Sequence, residues 1–105
     1  MDTDLLFSVP VPLGFEVEVR REVWAKIVEI KQPVMKERHL ELRETLTSPT
    51  QIRRSRRDPD VYLFYRPVHS TRWWCAVVKR QPTKSFLITA YPTDAIKEGE
   101  EIWSA

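Results

Sequence analysis

The run Arg53-Arg54-Ser55-Arg56-Arg57 sets four guanidinium groups within five residues, next to an Asp58-Pro59 turn signal. Guanidinium forks grip phosphate oxygens bidentately. In an extended strand Arg53, Ser55 and Arg57 point one way, a row able to hold a phosphate diester. The same row reads equally as a charged edge strand that resists pairing with other chains. Further on, Tyr62, Phe64, Trp74 and Tyr91 interleave with Arg66 and Arg72. Flat rings beside guanidinium groups suit single-stranded RNA, whose bases stack while its phosphates are gripped. Tyrosine and tryptophan are also common on any sheet, and exposed arginines often only solvate a surface.

Other catalytic patterns are missing. Only two glycines occur, so no glycine-rich phosphate loop can be built, and neither a paired-histidine metal spacing nor a nucleophile elbow is present. Asp58 and Asp60 flank Pro59 and read as a turn before they read as a metal site. No metal or other cofactor is expected. An enzyme of this composition has to work by proton transfer and charge stabilisation from Arg, Lys, Tyr, Ser, Thr or His. RNA can be cleaved in that way because its own 2′-hydroxyl is the nucleophile. His39 falls on an apolar helical stripe, where a packed structural role leads over a chemical one.

The prolines divide the chain into the elements that must position these groups. Residues 15–20 alternate Phe15, Val17, Val19 with Glu16, Glu18, Arg20, the period of a half-buried strand. Val23, Trp24, Ile27, Val28 and Ile30 recur at helical spacing over 22–31. Pro33 can open a second helix carrying Met35, His39, Leu42 and Leu46 on one face until Ser48-Pro49 stops it. Four strands follow, over 51–56, 61–66, 72–79 and 85–91, joined by short turns. The expected fold is α+β: two short helices packed on one face of a four-stranded antiparallel sheet, with an extra N-terminal strand. Hairpins symmetric about their loops put Val61, Leu63, Tyr65, Trp73, Cys75, Val77, Phe86, Ile88 and Ala90 on the face expected to receive the helices. Arg53, Ser55, Tyr62, Phe64, Arg66, Arg72, Trp74, Thr89 and Tyr91 fall on the other, where function is expected; a one-residue slip reverses any strand.

At 105 residues, 42% hydrophobic and 30% charged, the chain has room for one core. Residues 1–13 read as an N-terminal extension and 14–105 as a single domain. A net charge of +2 means that any nucleic-acid partner must be argued from where positive charge lies. The lone Cys75 excludes a disulfide framework and a cysteine metal site, and fits a reducing, cytoplasmic location. The acidic start and Pro10 and Pro12 are unlike a signal peptide, and no apolar run is long enough to span a bilayer. No export and no membrane association are expected, and an end soon after Trp103 reads as a free-standing unit.

The order and spacing of several short pieces resemble a known family. They are Trp24, Gln32-Pro33, Thr45-Leu46, Pro49, Ile52-Arg53-Arg54-Ser55, Asp58-Pro59, Leu63-Phe64-Tyr65-Arg66, Trp74-Cys75-Ala76-Val77-Val78-Lys79, Thr89-Ala90-Tyr91-Pro92-Thr93 and Trp103. Together they resemble the phage-associated Barnase-EndoU-Colicin-RelE-like (BECR) nucleases over nearly all of the chain after residue 20. The resemblance implies helices on a four-stranded antiparallel sheet, metal-independent RNA cleavage on its exposed face, and a toxin whose partners are RNA and a cognate antitoxin or immunity protein. It implies catalytic roles for Arg54, Tyr65, Lys79 and Tyr91. Gln32, Arg53, Ser55, Arg57, Arg66 and Thr89 are the expected substrate-binding residues. The alternation agrees for Ser55, Arg66, Thr89 and Tyr91; it turns Arg54, Tyr65 and Lys79 toward the helices, which leaves either a bulge or action at the sheet's rim.

The chain departs from the family before Pro33, where relatives commonly carry His-Pro and this sequence has Gln32. Glutamine cannot accept and return a proton at neutral pH. The sequence therefore supports two readings: a toxin-type ribonuclease weakened at that position, or a non-catalytic module binding RNA or protein on the same fold. In the first, Arg53, Arg54 and Arg66 hold the scissile phosphate, Tyr65 or Tyr91 assists proton transfer, and Ser55 and Thr89 donate hydrogen bonds.

Overall fold

A computed structural model describes residues 4–31, 38–96 and 98–105. Its strands form one seven-stranded sheet in the order β1-β2-β6-β5-β4-β3-β7, antiparallel throughout except for the parallel contact of β2 with β6. The elements are β1 (Leu5–Pro10), β2 (Glu16–Arg20), α1 (Arg21–Lys26), α2 (His39–Thr47), β3 (Gln51–Arg54), β4 (Val61–His69), β5 (Arg72–Arg80), β6 (Ser85–Thr93) and β7 (Glu100–Ser104). A π-helical turn, Ile27–Lys31, continues α1. Among the described residues no helix is long and apolar enough to cross a membrane.

The four expected strands are present, but the sheet has seven, which corrects the four-stranded fold. The extra N-terminal strand is really a hairpin, β1 with β2, turned by Gly14 at φ +94°. Phe7, Val9 and Val11 alternate with Ser8 and Pro10, but Pro10 and Pro12 disguise the strand; Pro10 is tolerated because β1 lies at the edge. The last strand, β7, carries two glutamates and pairs with β3 at the opposite edge. Gly99 makes its entry possible: φ is +78°, and a Cβ there would collide with the Arg54 carbonyl oxygen.

The helices cover the face opposite to the one expected. Ile52, Tyr62, Phe64, Trp74, Ala76, Val78 and Leu87 join Val17, Val19, Leu42 and Leu46 in the principal core. Leu63, Tyr65 and Cys75 lie on the other face in a second cluster, against Trp73, Val77, Tyr91 and Ile96. The grouping of Val61, Leu63, Tyr65 with Trp73, Cys75, Val77 and Phe86 holds in the register, but their side is reversed. Ile88 falls out of alternation at an irregularity between Val77 and Val78, which returns Ala90 to the helix side. The central strands are buried on both faces, so an apolar face did not identify the helix side. The second face is covered in part by Ile96, from the connection between β6 and β7 at the far side of the sheet.

His39 is exposed at the start of α2, away from the core. Gln32, Pro33 and Met35 lie outside the described residues.

Candidate nucleic-acid interface

The turn between β3 and β4 explains where the arginine run goes. Ser55 Oγ accepts from the backbone N–H of Arg57 (3.2 Å) and Asp58 (3.3 Å), while Asp58 Oδ1 accepts from Asp60 N–H at 3.0 Å. These side-chain caps bend the chain at once after β3. Arg56 and Arg57 therefore project into solvent instead of extending a strand row. Lys79 Nζ donates to Asp58 Oδ2 at 2.6 Å, and Arg80 N–H donates to the Asp60 carbonyl at 2.8 Å, stitching the end of β5 to this turn. Gln81 N–H to Lys84 carbonyl, 2.8 Å, closes the neighbouring β5–β6 turn.

Between the two turns lies a concavity of about 700 Å³ bordered by Arg54, Asp60, Tyr62, Lys79, Arg80 and Thr83. Tyr62, only 4% exposed, forms its floor. Arg54 donates to the Tyr62 hydroxyl at 2.9 Å, with its guanidinium carbon 5.3 Å from the ring centre. The guanidinium of Arg80 lies 4.4 Å from the centre of the Phe15 ring. Arg54, Arg56, Arg57, Arg80 and Lys84 have no carboxylate partner among the described residues. Lys79 has Asp58, whose carboxylate holds the ammonium above its ordinary value, while Lys79 and then the Asp60 amide hold the Asp58 carboxyl low.

Two of the four expected catalytic residues, Arg54 and Lys79, border this concavity at the sheet's rim. The other two do not. Tyr65 is 2% exposed and packs with Cys75. Burial drives its phenol far above the ordinary tyrosine range, and burial likewise raises half-buried Tyr91. Tyr65 sits opposite Cys75, while Lys79 is paired with Val61, four residues away along β4 and so ~13 Å distant along the strand.

The expected substrate residues also separate. Arg53 is spent on structure: its Nε donates to the Glu98 carbonyl, one terminal nitrogen to the Gly99 carbonyl and the other to Gln51 Oε1, each at 2.7 Å. Ser55 is occupied as the turn cap. Arg66 lies near the far end of the sheet, donating to the Ser48 carbonyl at 2.6 Å and facing Glu44 at 3.4 Å. Thr89 Oγ1 is buried without a hydrogen-bond partner in the described structure, on the same face as Leu63 and Val77. Only Arg57 stands exposed beside the Arg54 end, and Gln32 is outside the described residues.

Arg80, Tyr62, Phe15 and Asp60 were not among the expected site residues. The usable signal was the pair Lys79-Arg80 at the end of a strand just before Gln81-Pro82: neighbouring residues on a strand point to opposite faces, so the pair places one cation on each side of the rim. Among the described residues no three His, Cys, Asp or Glu side chains gather around a common metal position. No family model, curated protein or solved structure matches this chain.

Proposed function

We propose that this chain binds single-stranded RNA through the end of the sheet formed by the β3–β4 and β5–β6 turns. The observation that carries the reading is a set of cations without carboxylate partners among the described residues: Arg54 and Arg80 border one nucleotide-sized concavity, while Arg56 and Arg57 stand on the adjoining β3–β4 turn and Lys84 on the β5–β6 turn. Local cation density supports phosphate binding where a net charge of +2 does not. Burial of Leu63, Tyr65 and Cys75, with Ile96 packed against them, favours the rim over the broad sheet face as the proposed contact. Affinity for a fluorescent single-stranded RNA should fall at least tenfold between 50 and 200 mM salt, on the order expected for a few phosphate contacts. Salt-independent binding, or none, would remove the reading.

A second reading, metal-independent RNA cleavage of toxin type, is favoured by Asp60 and Tyr62 standing beside Arg54 and Lys79. In it Asp60 takes the proton of the ribose 2′-hydroxyl as that oxygen attacks phosphorus. The bond from phosphorus to the 5′-oxygen breaks, leaving a 2′,3′-cyclic phosphate, and the departing oxygen gains a proton from the Tyr62 hydroxyl. Arg54 offsets charge on the phosphoryl oxygens. The BECR resemblance, a phage-associated origin, an antitoxin or immunity partner and a cytoplasmic location belong to the same proposal. Cleavage in EDTA by the parent, lost in Asp60→Asn, supports it; intact RNA leaves the binding module.

A further inference from the structure

Two arginines at the concavity are held in place by aromatic rings rather than by carboxylates. On one wall Arg54 sits 5.3 Å from the centre of the Tyr62 ring and donates to its hydroxyl. On the other Arg80 lies 4.4 Å from the centre of half-buried Phe15. A guanidinium against a ring is partly desolvated and restricted in rotation, while its edge N–H groups remain available for a forked contact. The two arginines come from non-neighbouring strands, β3 and β5, and their backing rings from β4 and the residue before β2. Four segments of chain thus converge on one small volume.

Charge selects what fits there. Lys79 also borders the concavity but is engaged by Asp58 at 2.6 Å, and Asp60 is a further carboxylate on its border. Three cations against two carboxylates leave a net local charge of +1, which matches the single negative charge of a phosphodiester better than a dianion. The carboxylate of Asp60 would oppose a second negative charge and accept a hydrogen bond from a neighbouring hydroxyl. A volume of about 700 Å³ holds one nucleotide unit and not a packed helix or strand of a protein.

We propose that Arg54 and Arg80 form a two-guanidinium seat for one phosphodiester group, with Phe15 as the positioning residue for Arg80 and Tyr62 for Arg54. For RNA as the source of that group, the inference rests on the function proposed above. The seat assigns to Arg80 and Phe15 roles that the arginine run alone does not suggest. It also orders the cations: Arg54 and Arg80 set the bound phosphate, whereas Arg56 and Arg57 attract the strand at longer range.

The test uses the full chain with Arg80→Gln, Phe15→Leu and, at the far end of β5, Arg72→Gln as control, each checked for folding by circular dichroism. Dimethyl phosphate should shift the side-chain N–H resonances of Arg54 and Arg80 and leave those of Arg72 unmoved. Against single-stranded RNA, Arg80→Gln should weaken binding about tenfold and lower the log–log salt slope by about one. Phe15→Leu, which removes no charge, should weaken binding ~3-fold or more, and Arg72→Gln should match the parent. If folded Arg80→Gln and Phe15→Leu bind RNA with the parent's affinity and slope, the seat is overturned while RNA binding stands. Response to dimethyl phosphate with no affinity for RNA keeps the seat and discards the RNA reading. Equal binding of an acidic peptide of the same charge would overturn the phosphodiester assignment.

Discussion

Lys79 and Asp58 meet at 2.6 Å, tying the end of β5 to the turn that follows β3. The Lys79 hydrogen bond, then the Asp60 amide, depress the Asp58 carboxyl below its ordinary 3.8; Asp58 holds the Lys79 ammonium above its ordinary 10.5. A depressed carboxyl contributes stability above its unfolded value and loses it as pH falls through the folded value. A raised lysine contributes below its unfolded value and loses it as pH rises through the folded one.

Asp58→Asn should therefore unfold at lower urea than the parent across neutral pH, with the two midpoints converging in acid below 3.8. The gap should be small, because both groups are partly exposed and solvent screens the pair. Asparagine keeps an oxygen for the Asp60 N–H, so the comparison isolates charge. Urea midpoints measured at pH 7 and pH 2 check this; a gap of the same size at both would show that the ion pair is not its source.

Arg53→Met should loosen the β6–β7 connection, since the guanidinium donates to the Glu98 and Gly99 carbonyls and to Gln51. Charge-assisted bonds of this kind are worth ~1.5–3 kcal/mol when buried, and partial exposure brings the expected loss to about 2 kcal/mol overall. Cys75, fully buried in the cluster against which Ile96 packs, reports the change. Its modification by a thiol reagent in native buffer should accelerate at least tenfold in the variant, roughly the exposure gained from ~1.4 kcal/mol of destabilisation. An unchanged rate would mean that Arg53 does not hold the segment down.

Particular residues show why the site was only partly legible in the sequence. The alternation of Leu63 and Tyr65 against Tyr62 and Phe64 was readable, and so was their grouping with β5. Which side faced the helices was not, because the second side is buried too and apolarity then marks both. Arg53 reads as a ligand for phosphate in any local window; its true acceptors, the carbonyls of Glu98 and Gly99, are over forty residues away. Arg54 and Lys79 border the concavity because strand ends stay at the rim under either face assignment. Arg80 was missed because Phe15, the ring that marks it, is distant in sequence and becomes its neighbour only through the β2–β6 contact.

Alkaline instability should follow from the second cluster. Burial pushes the Cys75 thiol from 9.0 up to about 11 and raises Tyr65 and Tyr91 as well. The unfolded chain then releases protons that the folded chain retains, so stability falls as pH climbs through the unfolded values. At ~1.4 kcal/mol for each pH unit the thiol alone removes about 3 kcal/mol between pH 9 and 11. Urea midpoints of the parent should drop steeply over that interval, and those of Cys75→Ala should drop less. Parallel curves would place the alkaline transition elsewhere.

Removing the Tyr65 hydroxyl should separate folding from function. The side chain is 2% exposed, and desolvation leaves its phenol protonated well beyond neutral pH, so it can neither reach RNA nor accept a proton from it. Tyr65→Phe should alter stability by about 1–2 kcal/mol through the loss of a buried polar contact while leaving RNA affinity within twofold. Arg54→Ala should do the reverse: it removes an exposed guanidinium that borders the concavity, with little effect on the core and about tenfold weaker RNA binding. Anisotropy titrations at 100 mM salt, paired with urea curves on the same samples, check both variants. Weak binding by stable Tyr65→Phe would return the functional surface to the sheet face.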